Sequence, residues 1–101
     1  MKLTKTAPLD IEEVLASKSR IRILRVLAMK GPLNITEIRK CTKLNYKSIS
    51  RALEALKQMR VIGELSIDRT RNFRVKVENA ETSALVELIK RLANLERTRS
   101  G

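Results

Sequence analysis

The chain has 101 residues, enough for one domain with a modest core, and 22 lysine and arginine residues against 11 acidic ones give it a net charge of +11. This charge favours a polyanionic partner, with nucleic acid ahead of an anionic membrane surface. With no histidine and a single cysteine, the sequence lacks the commonest general base and the commonest zinc ligands, so we expect no enzyme, no metal and no cofactor.

The N-terminal part of the chain predicts a tail and two helices. Residues 1–9 predict a basic, flexible tail. Asp10 is a suitable cap for a short helix, and Ser17 is suitable for a second helix over residues 18–30, which Gly31-Pro32 ends. Apolar residues at helical spacing predict the buried faces of these two helices: Ile11, Val14 and Leu15, then Ile21, Leu24, Leu27 and Ala28.

Two short helices joined by a tight turn follow a possible short strand at residues 33–35. The first runs from Thr36 to Thr42 with Ile38 and Cys41 facing inward, since a small buried cysteine behaves as an apolar residue. Asn45 caps the second, over residues 46–59. Its apolar face consists of Ile49, Ala52, Leu53, Leu56 and Met59.

From Val61 onward the apolar residues alternate with polar ones, which predicts a β-hairpin with one buried face. The residues of that face are Leu65, Ile67, Phe73, Val75 and Val77. A polar five-residue loop at residues 68–72 joins the two strands. Between Lys43 and Lys76 there are nine basic and three acidic residues, so the hairpin and the preceding helix carry much of the positive charge.

A last helix, capped by Asn79, extends over about residues 80–97. Leu85, Leu88, Leu92 and Leu95 step by three and four with Ile89 alongside, which predicts two heptads of an apolar seam. Residues 77–101 carry four basic and four acidic side chains and are neutral overall. Such a seam either pairs two copies of the chain or packs on its own domain.

Helix, tight turn, helix and basic hairpin form an arrangement that places side chains in the major groove of DNA. The polar face of the second helix carries groups suited to base edges, because arginine and lysine bond guanine and serine bonds either base type. These candidates are Tyr46, Lys47, Ser48, Ser50 and Arg51.

The order of elements resembles the winged helix-turn-helix family, and within it the ArsR-like and MarR-like bacterial and archaeal transcriptional regulators. The motifs that carry the resemblance are residues 19–27, 31–33, 36–38, 44–45, 48–56 and 61–63. It implies a mainly α fold with a small β-hairpin (α+β), a winged helix-turn-helix DNA-binding domain at 10–78, and a C-terminal dimerisation helix at 79–101.

The resemblance also implies roles for particular residues. The wing, residues 68–72, would lie on the DNA backbone or in the minor groove. The full set of expected DNA contacts is Thr36, Asn45, Tyr46, Lys47, Ser48, Ser50, Arg51, Arg69, Arg71, Asn72 and Arg74. The expected dimer contacts, in the first and last helices, are Ile11, Leu15, Leu85, Leu88, Ile89, Leu92 and Leu95.

Two features of the sequence depart from the family pattern. Asn34, Ile35 and Thr36 stand where ArsR-like metal sensors often carry Cys-Val-Cys, and the last helix has no histidine, so metal sensing is not expected. Lys43 stands where the turn commonly has glycine, and it would be strained if the turn needs a positive φ.

We therefore expect a homodimeric, sequence-specific transcriptional regulator, acting as a repressor, with double-stranded DNA and a second copy of itself as partners. No small-molecule ligand is evident. No apolar run spans a bilayer and no secretory signal is recognisable, which favours a cytoplasmic, nucleoid-associated protein. Two alternatives remain open: an architectural chromatin-type DNA-binding protein, and a winged-helix module for protein–protein interaction.

Overall fold

The computed structural model describes residues 9–100. The predicted tail, residues 1–9, lies outside the described part except for Leu9. The described elements, in chain order, are α1 (Ile11–Leu15), α2 (Lys18–Lys30), β1 (Leu33–Asn34), α3 (Ile35–Thr42), α4 (Tyr46–Gln58), β2 (Ile62–Ile67), β3 (Thr70–Val75) and α5 (Ala80–Ser100). The three strands form an antiparallel sheet in the order β1-β3-β2. This is the predicted α+β winged helix-turn-helix with a C-terminal helix.

Short polar side chains start the helices where the sequence predicted them. The carboxylate of Asp10 accepts the first N–H groups of α1, and the hydroxyl of Ser17 accepts an N–H group of α2. Asn45 accepts the Ser48 N–H at 2.8 Å and starts α4. Helix α3 begins one residue earlier than predicted because Asn34 forms a capping box with Glu37.

The core lies where α2 and α4 pack together over Phe73 of β3. Helix α4 buries the face that its spacing predicted. In α2 the predicted Leu24, Leu27 and Ala28 are buried, as is Ile23, whereas Ile21 is exposed. Only Val14 of α1 is buried. The core residues are Val14, Ile23, Leu24, Leu27, Ile38, Ile49, Ala52, Leu53, Leu56, Val61, Ile62, Phe73 and Leu85.

The prediction that Cys41 faces the core is wrong, because the cysteine is exposed. Cys41 and Thr42 flank Ile38 on either side of the same helical face, at spacings of three and four residues. The core takes Thr42, which is buried. Its hydroxyl donates to the Ile38 carbonyl at 2.8 Å and accepts the Leu44 N–H at 3.3 Å. Thr42 thus ends α3 and begins the turn.

The turn between α3 and α4 uses a left-handed residue. Lys43 has φ 64° and ψ 16°, and its N–H donates to the Arg39 carbonyl. This is the conformation that closes many helices with glycine, and a residue with a Cβ is strained there. The positive φ considered for Lys43 from the sequence is therefore present.

The hairpin turn is shorter than predicted. Ile67 lies opposite Thr70, so Asp68 and Arg69 alone form the turn instead of the five residues 68–72. Both have positive φ, 51° and 67°. Positive φ at both central residues is the requirement of a type I′ turn, whose twist matches that of the strands.

This register places β2 with the opposite face toward the core from the one predicted. Glu64 lies opposite the buried Phe73, whereas Leu65 lies opposite Asn72 on the outer face. Leu65 and Ile67, predicted to be buried, are 61% and 50% exposed. The prediction was wrong because it assumed a five-residue loop. The two-residue turn imposes a different register, in which Glu64 and not Leu65 shares a face with Phe73.

Helix α5 divides the predicted leucine seam between two faces. Leu85 is buried in the core of its own domain and Ile89 packs against that core. Leu88, Leu92 and Leu95 are 52%, 51% and 60% exposed. Leu85 is therefore a core residue and not an available dimer contact.

The segment before α5 also differs from expectation. Val77, predicted to be buried, follows the end of β3 and is exposed. The carbonyl of Asn79 accepts the Ser83 N–H of the first turn of α5, while its side-chain amide donates to the Arg60 carbonyl at 3.1 Å. Within residues 9–100 no helix has the length and apolar character that crossing a bilayer requires.

The strain at Lys43 generates a stability prediction. Because glycine adopts φ 64° without a Cβ clash, Lys43→Gly is expected to raise the free energy of unfolding relative to Lys43→Ala by about 1 kcal/mol. Both substitutions remove the same charge and side chain, so their difference isolates the backbone. Urea unfolding measures it, and an alanine variant at least as stable as the glycine variant would contradict a strained turn.

Candidate nucleic-acid interface

The N-terminal half of α4 presents a polar, positively charged face to solvent. Burial of Ile49 and Leu53 fixes the rotation of the helix, which leaves Tyr46, Lys47 and Arg51 exposed. These are three of the residues predicted to reach base edges. The other two, Ser48 and Ser50, are half-buried beside them.

Two of the predicted contact residues lie at helix starts. The side chain of Asn45 is occupied in capping α4, and its oxygen accepts the Ser48 N–H. Thr36 is exposed in the first turn of α3. The first N–H groups of a helix favour a nearby anion such as a phosphate.

The arginines that the sequence grouped in the wing occupy different places. Arg69 is exposed in the hairpin turn and forms no ion pair within residues 9–100. Arg71 lies on the face of β3 that looks toward α4, like Phe73 two residues later. Arg74 and Asn72 lie on the outer face. The hairpin thus brings Arg71, and not Arg74, toward α4.

Arg71 does not project freely into solvent. Its Nε and Nη2 atoms donate to the two oxygens of the Glu64 carboxylate, at 2.5 Å and 3.1 Å. The guanidinium carbon also lies 5.3 Å from the centre of the Phe73 ring, within cation–π range. The strand therefore holds this arginine along its own surface.

The same carboxylate binds the last turn of α4. Lys57 Nζ donates to Glu64 Oε1 at 2.7 Å and lies 3.6 Å from Glu54 Oε2. We call the four side chains Glu54, Lys57, Glu64 and Arg71 the Glu64 network. This network joins α4 to both strands of the hairpin, β2 and β3, and its four charges sum to zero.

Hydrogen bonds dominate the electrostatics of this network. The donors on Arg71 and Lys57 lower the pKa of Glu64 to about 2. In return the Glu64 hydrogen bond raises the pKa of Arg71, with smaller contributions from Tyr46 and Glu54.

Arg74 is held in a separate pair. Its Nη1 and Nη2 atoms donate to the Glu78 carboxylate at 2.9 Å and 2.8 Å. This hydrogen bonding lowers the pKa of Glu78 to about 2. The Arg74–Glu78 pair lies at the end of β3 that is farther from the hairpin turn. Asn72, the remaining predicted contact in this strand, donates from its side-chain amide to the Thr70 carbonyl.

Sequence reasoning missed Glu64, Lys57 and Glu78. The pairing of Glu64 with Arg71 is a diagonal cross-strand contact, which only the two-residue turn predicts. The sequence feature that could have indicated the two-residue turn is the Asp-Arg dipeptide at residues 68–69. It marks such turns less strongly than the usual Asn-Gly or Asp-Gly dipeptides.

An open cavity of about 360 Å³ lies between α2 and α3. Its lining is Arg22, Arg25, Val26, Met29, Lys30, Cys41 and Thr42. Arg22 Nη1 donates weakly to the Thr42 carbonyl at 3.5 Å, and Arg25 Nη2 binds Glu96 at 2.6 Å. Two of its three cations are thus already bonded within the chain. In the described part of the chain no group of three or more histidine, cysteine or acidic residues could hold a metal ion.

Fold and site together define a winged helix-turn-helix DNA-binding protein. Residues 17–63, which contain the helix-turn-helix, match the family model described as bacterial regulatory protein, arsR family. Over these residues the chain is similar to the DNA-binding domains of that family. No curated protein matches the sequence.

Solved structures share this fold. HlyU from Vibrio cholerae superposes with a TM-score of 0.71 at 22% identity, covering 81% of this chain and 86% of that one. The homodimeric winged helix-turn-helix domain of Mb0332 from Mycobacterium bovis gives 0.68 at 24% identity, covering 88% and 80%. The antimony-specific transcriptional repressor AntR gives 0.67 at 22% identity, covering 88% and 77%.

The Glu64 network predicts a pH-dependent contribution to stability. The folded protein holds the pKa of Glu64 at about 2, below its ordinary value of 4.5, so this contribution is present above about pH 4.5 and is lost as the pH falls toward 2. Glu64→Gln should lower the free energy of unfolding at pH 7 by about 1 kcal/mol, a modest value because Arg71 is nearly half exposed.

Urea unfolding at about pH 7 and pH 3 measures this dependence. The difference between wild type and Glu64→Gln should shrink at the lower pH. Glu78→Gln is the control, and its effect should be smaller because both partners of that pair are about half exposed. A Glu64→Gln deficit that is equal at both pH values would show that ionisation of Glu64 does not contribute.

Proposed function

We propose that this protein is a homodimeric, sequence-specific transcriptional regulator that acts as a repressor, with α4 as the recognition helix in the major groove and the wing on the backbone or in the minor groove. The domain boundaries at residues 10–78 and 79–101 belong to this proposal. Repression would follow from occupation of a DNA site that polymerase must reach.

One observation carries the proposal. The cations on the exposed face of α4 and at the wing tip, Lys47, Arg51 and Arg69, form no ion pair among the described residues. Glu54 of α4 and Glu64 of β2 are bound to other cations, and Asp68, beside Arg69 in the turn, forms no ion pair among the described residues. The face that would meet DNA therefore carries cations that no carboxylate among the described residues neutralises.

The chemistry of this face supports base reading in addition to phosphate binding. Arg51 and Lys47 can bond the O6 and N7 atoms of guanine, and the serines can bond either base type. Tyr46 at the helix start can contact a phosphate or a thymine methyl group. Phosphate contacts position a protein on DNA, whereas contacts to base edges supply specificity.

In the wing we assign the first phosphate or minor-groove contact to Arg69, because it is exposed at the tip. Arg71 and Arg74 are bonded to Glu64 and Glu78, so they can reach a phosphate only by giving up those bonds. We also propose a backbone contact for Thr36 and the N-terminus of α3, because the first N–H groups of a helix favour an anion. Asn72 is the weakest member of the proposed set because its amide is bonded to the strand.

A dimer through α5 is supported by the exposed leucines of that helix. Leu88, Leu92 and Leu95 share one face, and Ile11 and Leu15 of α1 add further exposed apolar surface. A chain of this size gains from burying apolar surface against a second copy. The similar domain of Mb0332 is homodimeric, and AntR is a transcriptional repressor. Neither a metal nor a small-molecule effector is part of the proposal.

Selection of bound duplexes from a random library tests sequence-specific binding. The selected site should be preferred over random duplex by about 10³-fold or more, and its half-sites should be ~34 Å apart if two α4 helices enter successive major grooves. Arg51→Ala should lower affinity for the selected site by roughly 10- to 100-fold and relax the preference at one base pair.

Arg97→Ala is the matched control, since it removes the same charge from the last helix, outside the proposed reading face, and should leave the preference unchanged. Equal affinity of the wild type for selected and random duplexes would favour the architectural alternative. Absence of binding even at low salt would favour the protein–protein alternative, because phosphate-driven binding is strongest there.

The dimer proposal predicts that Leu88→Glu with Leu92→Glu yields monomers. Two charges in a buried apolar seam cost several kcal/mol in each copy, more than a small interface recovers. Sedimentation measures the mass. Lys90→Glu with Asn94→Glu is the control, because those residues lie roughly on the opposite side of α5. An intact dimer in the leucine variant would place the interface elsewhere.

A further inference from the structure

Glu64 is placed differently from the other acidic residues of the interface. Its carboxylate accepts hydrogen bonds from Arg71 of β3 and from Lys57 of α4, so one side chain on β2 joins three elements. The side chain is only 21% exposed, which shields it from solvent more than either of its partners. It lies on the face of the hairpin that looks toward the recognition helix.

The Glu64 network changes what the wing offers to a duplex. Arginine and lysine bind phosphates of any sequence, and each such contact adds affinity that carries no sequence information. Arg71 would be such a contact if it were free, because it lies on the face of the hairpin that looks toward α4. Instead both of its bonded nitrogens point at Glu64, and its plane lies against Phe73.

We propose that Glu64 is a positioning and specificity-determining residue: it fixes the wing against the recognition helix and withholds Arg71 and Lys57 from sequence-independent phosphate binding. This inference rests on the proposed DNA-binding function and extends it. The bases are read by α4, while Glu64 limits the affinity for every other sequence.

A charge-matched control is available in the same hairpin. Glu78 binds Arg74 in a two-bond pair as Glu64 binds Arg71, but on the outer face and without a bond to α4. Glu64→Gln and Glu78→Gln change the net charge of the protein equally. A difference between the two variants therefore reports the position of the carboxylate and not the overall charge.

The expected results follow from counterion release. Glu64→Gln frees Arg71 and leaves Lys57 only its longer contact with Glu54. The plot of log affinity for random duplex against log salt should therefore steepen by about 1 to 2, with affinity at low salt rising about tenfold. Affinity for the selected site should rise less because the wing is no longer fixed, so the preference for that site should fall. Glu78→Gln should change the preference little.

A double-mutant cycle identifies the cation. Arg71→Ala in the wild-type background should leave the affinity for random duplex within about threefold, since Glu64 already withholds that arginine. In the Glu64→Gln background, Arg71→Ala should lower the affinity for random duplex by more than about threefold. The difference between the two effects is the coupling of Glu64 to Arg71.

Anisotropy titrations of random and selected duplexes at several salt concentrations supply all of these values, with circular dichroism showing that each variant is folded. Amide hydrogen exchange adds a readout without DNA: Glu64→Gln, unlike Glu78→Gln, should speed exchange in β2 and β3. If the wild type binds duplex but the two glutamine variants have equal slopes and preferences, this inference is wrong while the proposed function stands. If the wild type binds no duplex, both are wrong.

Discussion

The rotation of α4 about its own axis is the constraint on which the rest of the interface depends. Ile49, Leu53 and Leu56 recur at spacings of four and three residues, so burying them against α2 and Phe73 leaves the helix a single orientation. The exposed face is then decided by packing and not by any interaction of its own. A surface built in this way is rigid in the free protein, which would reduce the ordering that the proposed DNA binding has to supply.

The wing is oriented by a second constraint, the register of the hairpin. Asp68 and Arg69 form a two-residue turn in which both have positive φ, although neither is glycine. Side chains alternate between faces along a strand, so a shift of one residue would turn Glu64 away from Arg71 and expose Phe73. The burial of Phe73 therefore stabilises the strained turn, and the Glu64 network is a consequence of the same register.

Features set by neighbouring residues were predictable from the sequence, and features set by distant contacts were not. Asn45 could be recognised as a cap because its partner is three residues away. Cys41 and Thr42 are equally good candidates for the inner face of α3, and only the position of the surrounding core separates them. Leu65 was misassigned because hairpin register is a tertiary property, and the burial of Leu85 likewise depends on the side from which α2 meets α5. The candidate base-reading residues, by contrast, follow directly from the apolar period of α4.

The same packing connects the reading face to the proposed dimer seam. Helix α2 lies between α4 and α5, so it contacts the recognition helix on one side and the buried face of the last helix on the other. The Arg25–Glu96 pair adds a link between α2 and α5, but both side chains are more than half exposed, so the apolar contacts of Leu85 carry most of the attachment. In a dimer formed through the exposed leucines of α5, the distance between the two recognition helices would be set by the packing of α2. Substitutions in that helix would then alter the preferred half-site spacing without removing a single contact to DNA.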